Sequence, residues 1–203
     1  MANMAQQKVW LYQTDDLAYE TNYVYNGFLN NFFDAIDGSY CTYSAFGETG
    51  NSPEDPSYPH NVTNGYTGKL QCGKYKATNV ISISYGGNEV GLPASYQQRQ
   101  CAEIMKLGLQ GTTVVVSSGD SGVGYSRGTN NPDCFGPTGQ AFVPDFPATC
   151  YAITAVGSTY LPRGANVSID AERATDRFPS GGGFSNLYPT PSVRPYLSDL
   201  QLL

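Results

Sequence analysis

The chain has 203 residues, 40% of them hydrophobic and only 14% charged, with 16 tyrosines. That charged share lies well below the roughly 25% of an ordinary soluble domain. Eleven basic against seventeen acidic residues leave a net charge of -6 and no Lys/Arg cluster, which argues against a nucleic-acid partner, and no apolar run approaches a membrane span.

In chain order, Lys8-Val9-Trp10-Leu11-Tyr12 reads as a short strand. Residues 26–37 place Phe28, Leu29, Phe32, Phe33 and Ile36 at helical spacing, with Gly38 as a stop. Asp16 and Glu20, or Asp34 and Asp37, could pair on one helix face, but among 17 acids such spacings are expected by chance and predict a solvated surface. A loop rich in Pro, Gly, Asn and Asp fills 39–75, and its length calls for a staple or a function.

Residues 79–84 (Asn-Val-Ile-Ser-Ile-Ser) predict a buried strand ending at Tyr85-Gly86-Gly87. An amphipathic helix is predicted over 94–110, with Tyr96, Cys101, Ile104, Met105 and Leu107 turned inward. Residues 112–116 (Thr-Thr-Val-Val-Val) give a second strand and 151–156 (Tyr-Ala-Ile-Thr-Ala-Val) a third, stopped by Gly157; 177–189 is a glycine-rich loop. Strand, helix and strand with short connections predict an α/β fold with a parallel sheet flanked by helices.

Five cysteines contain no C-x-x-C pair, so neither a zinc ribbon nor a thioredoxin motif is expected. Cys41–Cys72 and Cys134–Cys150 are the expected disulfides, leaving Cys101 free. Two glycosylation sequons, Asn61-Val62-Thr63 and Asn166-Val167-Ser168, join the low Lys content in favouring a secretory compartment. The N-terminal residues have neither the basic nor the apolar region of a signal peptide, so the natural start is expected upstream.

Ligands of a parallel α/β sheet bind beyond the carboxyl ends of its strands. Two segments fall there: Ser84-Tyr85-Gly86-Gly87, and Ser117-Ser118-Gly119-Asp120-Ser121-Gly122. Asp120 follows a Val-rich strand between glycines, either displayed for chemistry or capping the amides of its own turn. Gly119-Asp120-Ser121-Gly122 imitates the nucleophile segment of trypsin-like proteases, but that chemistry needs a histidine base. The one histidine, His60, sits in the loop as Tyr58-Pro59-His60-Asn61 and reads as an exposed residue. Gly119, Gly122 and Gly124 have the reverse of dinucleotide spacing, with an acid where a phosphate would sit, so no nucleotide is expected.

Four phrases in this order resemble one family. They are 80–87 (Val-Ile-Ser-Ile-Ser-Tyr-Gly-Gly), 117–123 (Ser-Ser-Gly-Asp-Ser-Gly-Val), Phe146-Pro147-Ala148-Thr149-Cys150 running into 153–157 (Ile-Thr-Ala-Val-Gly), and 180–186 (Ser-Gly-Gly-Gly-Phe-Ser-Asn). The set is similar to the sedolisins, the serine-carboxyl peptidases that include the tripeptidyl peptidases. Residues 33–41 (Phe-Asp-Ala-Ile-Asp-Gly-Ser-Tyr-Cys) look most like the aorsin-type secreted acid peptidases of fungi. The resemblance runs from Val9 to about Pro191 and implies a subtilisin-like α/β fold with peptide hydrolysis in acid.

The family's catalytic set is a serine nucleophile, a glutamate base with an aspartate partner, and an aspartate in the oxyanion hole. Asp120 matches the last of these and is the one member that carries over. By the same resemblance Ser84, Tyr85, Gly86, Gly87 and Gly119 would line the groove for a peptide or protein substrate. Acid chemistry explains the scarcity of histidine: imidazole, with an ordinary pKa near 6.5, is mostly protonated at the relevant pH, whereas a glutamate near 4.3 is matched to it. A protonated carboxyl can also donate a hydrogen bond to a forming oxyanion.

The family's nucleophile lies in a Gly-Thr-Ser-x-Ser type segment, and the nearest text here, Gly157-Ser158-Thr159, lacks it. The resemblance places that segment after the glycine-rich phrase, the Glu/Asp pair before Lys8, and the family's calcium site C-terminal to the chain. Residues 1–203 are thus expected to be the central part of one peptidase domain, truncated at both ends. The expectation is a secreted monomer, inactive alone, with one calcium ion for the full-length domain and no cofactor or metal held by these residues. The rival expectation is a non-catalytic secreted module that keeps the peptide groove; an unrelated α/β hydrolase would need a Gly-x-Ser-x-Gly elbow, which is absent.

Overall fold

A computed structural model describes residues 6–14, 16–18, 28–42, 51–52, 55–56, 58–59, 62–124 and 141–189. Helix α1 spans Phe28–Ile36 and buries Leu29, Phe32 and Phe33, as their spacing demands. Gly38 does not end the helical region but opens a second, five-residue helix, α2 (Gly38–Thr42). The reason lies in the residue before it: one oxygen of the Asp37 carboxylate accepts from the Ser39 N–H and from the Ser39 hydroxyl, both at 2.8 Å. That bond satisfies an amide left orphaned in the first turn of a helix. The long loop then contains a minimal antiparallel pair, β1 (Asn51–Ser52) with β2 (Asp55–Pro56), and is stapled by Cys41–Cys72 as expected.

The central layer is a three-stranded parallel sheet in the order β3 (Val80–Ile83), β5 (Thr113–Ser117), β7 (Thr154–Val156). Helix α3 (Ala94–Leu109) makes the crossover from β3 to β5. Two further antiparallel pairs are short: β4 (Gly87–Asn88) with β6 (Asp145–Phe146), and β8 (Thr159–Tyr160) with β9 (Arg173–Ala174). Register pairs Ile81 with Val114 and Ile83 with Val116. Ile81, Val114 and Val116 turn to one face and pack with Ile104 and Leu107 of α3, and α1 continues the same core through Phe32 and Phe33.

Several expectations are corrected. The run at 79–84 reads as buried on both faces, yet Val80 is 60% exposed beside a 5% exposed Ile81, so only one face is covered by described residues. Residues 8–12 form no strand; Trp10 and Leu11 are exposed, while Tyr12 stacks edge-on against Phe32 and donates its hydroxyl to the Lys76 carbonyl. The third strand starts only at Thr154. Met105 is exposed because the buried stripe of α3 runs through Tyr96, Gln100, Cys101, Ile104 and Leu107, one position away. Asp34 is fully buried rather than solvated, and Asp37 is ion-paired with Lys106. Asp16 accepts from the Tyr58 hydroxyl at 2.5 Å and the Tyr66 N–H at 2.9 Å; its suggested partner Glu20 lies outside the described residues, as does His60.

The second disulfide is Cys101–Cys150, not Cys134–Cys150, so Cys101 is not free; Cys134 lies outside the described residues. Cys101 sits on the sheet-facing side of α3, where the turn after β6 brings Cys150 into the same core. No described helix is long and apolar enough to cross a membrane.

Candidate functional site

Because β3, β5 and β7 are parallel, their carboxyl ends open on one side, carrying Ser84-Tyr85-Gly86, Ser118-Gly119-Asp120 and Gly157. The glycine-rich segment folds back over this edge. Gly181 N–H donates to the Gly119 carbonyl at 2.7 Å, Gly122 N–H to Pro179 at 2.8 Å and Gly182 N–H to Gly122 at 3.0 Å. The Ser180 hydroxyl accepts from the Ser158 N–H at 2.8 Å and lies 3.4 Å from the Ser118 hydroxyl. Gly181 is required for this approach: a Cβ there would overlap the Ser118 carbonyl.

Asp120 is exposed on the turn that follows β5. Its neighbour Gly119 adopts φ +99°, and a side chain there would run into the carboxylate of Asp145. Burial, and then the negative charge of Asp120, push the Asp145 carboxyl up from its ordinary value. Asp145, beside Gly119, thus lies within electrostatic reach of Asp120 at the mouth of the sheet and holds its proton to higher pH than a solvated aspartate would. Gly86 lies against the other side of the same segment, where a Cβ would come within 2.8 Å of the Phe146 carbonyl.

Beside this pair is a cavity of about 290 Å³, walled by Ser118, Pro144, Asp145, Ala148, Thr149, Tyr151, Gly157, Phe184, Ser185 and Tyr188 among others. Its walls are mixed in polarity, and the Thr149 and Tyr188 hydroxyls in them are buried without a hydrogen-bond partner among the described residues. Tyr188 is pushed upward in pKa by burial first and by the charge of Glu89 second.

Of the residues singled out from sequence, Gly119 abuts Asp145 and Gly86 abuts Phe146, while Gly87 pairs with Phe146 across β4 and β6. Ser84 and Tyr85 are exposed at the end of β3. None of the six lines the cavity itself. Sequence reasoning missed Asp145, Thr149, Ser180, Ser185 and Glu89. A usable signal for the first existed in Pro144-Asp145-Phe146-Pro147, an acid held between two prolines. Among the described residues, no group of three or more His, Cys, Asp or Glu could hold a metal ion.

No family model matches the chain. Curated proteins do. The chain is 58% identical over 179 residues to the tripeptidyl-peptidase Sed1 of Aspergillus fumigatus, covering 88% of this chain and 27% of that protein. It is 51% identical over 196 residues to aorsin of Aspergillus oryzae, covering 93% and 29%. The chain belongs to the sedolisin family. It spans under a third of the length of these relatives. Among solved structures, a Pseudomonas sedolisin (serine-carboxyl proteinase) in complex with pseudo-iodotyrostatin matches at 27% identity and a TM-score of 0.46, covering 56% of this chain and 32% of that one.

Proposed function

We propose that these residues form the oxyanion side and part of the substrate groove of a secreted serine-carboxyl peptidase that hydrolyses peptide bonds in acid. The observation that carries this reading is the placement of Asp120: solvent-facing, at the carboxyl end of the central parallel strand, beside a cavity walled by Asp145 and the glycine-rich segment. Support comes also from the tripeptidyl-peptidase and aorsin names of relatives at 58% and 51% identity. The two disulfides and the exposed Asn166 suit a protein that passes through an oxidising compartment.

In this mechanism a serine attacks the scissile carbonyl and its proton passes to a glutamate. Negative charge gathers on the carbonyl oxygen, and the protonated carboxyl of Asp120 donates a hydrogen bond to it. A carboxylate would repel that oxygen, so the donor works only while protonated. Removing one such donor costs about 10²–10³ in rate. As the resemblance implies, we place the serine, the Glu/Asp pair and the family's calcium ion outside these 203 residues; Asp120 is the one residue among them given a catalytic role.

The test is a two-part measurement on the 203-residue chain at about pH 4. Titrating an unstructured hexapeptide should perturb the amide NMR signals of Gly86, Gly87, Gly119 and Asp120, without cleavage detectable by mass spectrometry. Perturbation confined to another face would overturn the groove. Cleavage that disappears in Asp120→Ala would overturn the assignment of the nucleophile and base to other residues.

A further inference from the structure

Ser185, a wall of the cavity, is held by a side chain that does not itself line it. Glu89 is 3% exposed and opens the single 3-10 turn Glu89–Gly91 that follows β4. Its backbone N–H donates to the Pro144 carbonyl at 3.0 Å, and its own carbonyl accepts from the Gln97 side-chain amide at 2.6 Å. The carboxylate reaches across to the glycine-rich segment. One oxygen accepts from the Ser185 hydroxyl, and the other accepts from the Asn186 N–H at 2.7 Å. The Ser185 oxygen, its own proton committed to Glu89, accepts from the N–H groups of Leu187 at 2.9 Å and Tyr188 at 2.8 Å. Asn186 closes the ring by donating from its side chain to the Phe142 carbonyl at 3.1 Å.

This is more wiring than a solvent-facing loop needs to stay folded. A buried carboxylate is costly unless hydrogen-bonded, and among the described residues both of its hydrogen bonds go to the segment that carries Phe184, Ser185 and Tyr188, three walls of the cavity. The loop has no helix or strand of its own to hold it. We propose that Glu89 is a positioning residue: by gripping Ser185 and Asn186 it fixes the Phe184–Tyr188 wall against the Pro144–Asp145 wall and so sets the shape of the cavity that receives a peptide side chain. The role of the cavity rests on the peptidase reading above; the clamp does not.

The two are separated by using Glu89→Gln and Ser185→Ala in the 203-residue chain. Glu89→Gln keeps the volume but replaces one accepting oxygen by a donor; Ser185→Ala cuts the same relay from the exposed side and spares the buried position, so it decides the matter if Glu89→Gln does not fold. Amide hydrogen exchange is read at Asn186, Leu187 and Tyr188, with Val114–Val116 of the central strand as the internal reference. Binding of a fluorescein-labelled Ala-Ala-Phe-Phe-Ala-Ala peptide is read by anisotropy at about pH 4.

Loss of a charge-assisted bond should speed exchange at 186–188 by about tenfold or more while the reference amides hold their rates, and should weaken the peptide by a similar factor. A role in global stability alone would move the reference amides together with 186–188. Unchanged exchange at 186–188 in both variants overturns the clamp. Faster exchange with unaltered peptide affinity overturns its part in shaping the cavity. A wild-type chain that binds no peptide refutes the groove reading, while the exchange measurement still decides the clamp.

Discussion

The guanidinium of Arg99 lies 3.5 Å above the centroid of the Tyr40 ring. From the same fork it donates to the Asn30 side-chain oxygen at 2.8 Å and to the Tyr40 carbonyl at 2.5 Å, and the Tyr40 hydroxyl donates to that Asn30 oxygen at 2.6 Å. One side chain of α3 therefore locks α1 and α2 together behind the sheet. It is also the cation nearest in effect to two buried acids, Asp34 and Glu103, whose pKa values it lowers against burial. Arg99→Ala is expected to cost about 3–5 kcal/mol near pH 8, where Asp34 would lose its compensating charge and Glu103 would keep only Lys106. Arg99→Lys should recover little, because an ammonium reproduces neither the fork nor the stacking. Urea unfolding measures both; near-wild-type stability of Arg99→Lys would refute the fork argument.

The same cluster gives stability a definite dependence on pH. Burial raises Asp34 to about 7, with Arg99 pulling it down; burial raises Glu103 to about 7, Arg99 lowers it and the charge of Asp34 raises it further. The other charged groups facing the cluster are Lys106, 3.6 Å from Glu103, and Asp37, which pairs with Lys106. The unfolded chain titrates such acids near pH 4, so between about pH 4 and 7 the folded state binds more protons. Stability is then full below about pH 4, falls through that window and levels off above about 7. Each acid contributes a slope of at most about 1.4 kcal/mol per pH unit, and a total of a few kcal/mol is expected. Asp34→Asn should flatten the curve and be relatively more stable at pH 8 than at pH 4. Urea midpoints that rise from pH 4 to pH 8 would contradict this.

That cluster also marks where the sequence stops being legible. Local periodicity revealed α1, α3 and the Val-rich β5, because each of those signals lies within a few residues of itself. Asp34 and Asp37 look alike at that range: two acids three residues apart on an otherwise aromatic helix. What separates them is tertiary, since Asp34 points at α3, where Arg99 joins Asn30 across 69 positions, and Asp37 finds Lys106. Asp120 stood out because a strand end announces itself in composition, with valines running into Ser-Gly-Asp-Ser-Gly. Asp145 and Glu89 did not, because their importance comes from what folds onto them: the Gly119 backbone for one, Ser185 and Asn186 for the other.

The disulfide between Cys101 and Cys150 joins α3 to the segment that walls the cavity, and it closes a span of 49 positions. On the chain-entropy account a loop of that size is worth about 4 kcal/mol. Non-reducing peptide mapping should recover residues 101 and 150 in one linked fragment. A Cys101→Ser/Cys150→Ser double variant should be destabilised by an amount of that order while keeping Cys41–Cys72. Recovery of a Cys134–Cys150 fragment would overturn the pairing.

Gly181→Ala tests whether the glycine-rich segment is seated as described. The new methyl would meet the Ser118 carbonyl, and the bond from the Gly181 N–H to Gly119 would have to break or stretch. A cost of about 1–3 kcal/mol is expected, as for other overpacked sites, with faster exchange of the Gly122 and Gly182 amides. Gly182→Ala is the control, since a Cβ there meets nothing within 4 Å. Equal behaviour of the two variants would remove the close contact from the account of the site.

Asn166 offers a test of compartment. It is exposed in the connection from β8 to β9; its side-chain oxygen accepts from the Ser168 N–H at 3.0 Å, and Val167 and Ile169 beside it are each 79% exposed. The sequon therefore sits in an open turn, with its amide nitrogen accessible to an oligosaccharyltransferase and with apolar surface that a glycan would cover. Expressed through a yeast secretory pathway, the chain should gain a mass that peptide N-glycosidase removes, and both Asn166→Gln and Ser168→Ala should lower that gain by one glycan. A gain that neither substitution alters would place the sugar elsewhere and leave the Val167–Ile169 surface bare, and Asn166 would then lend the secretory expectation no support.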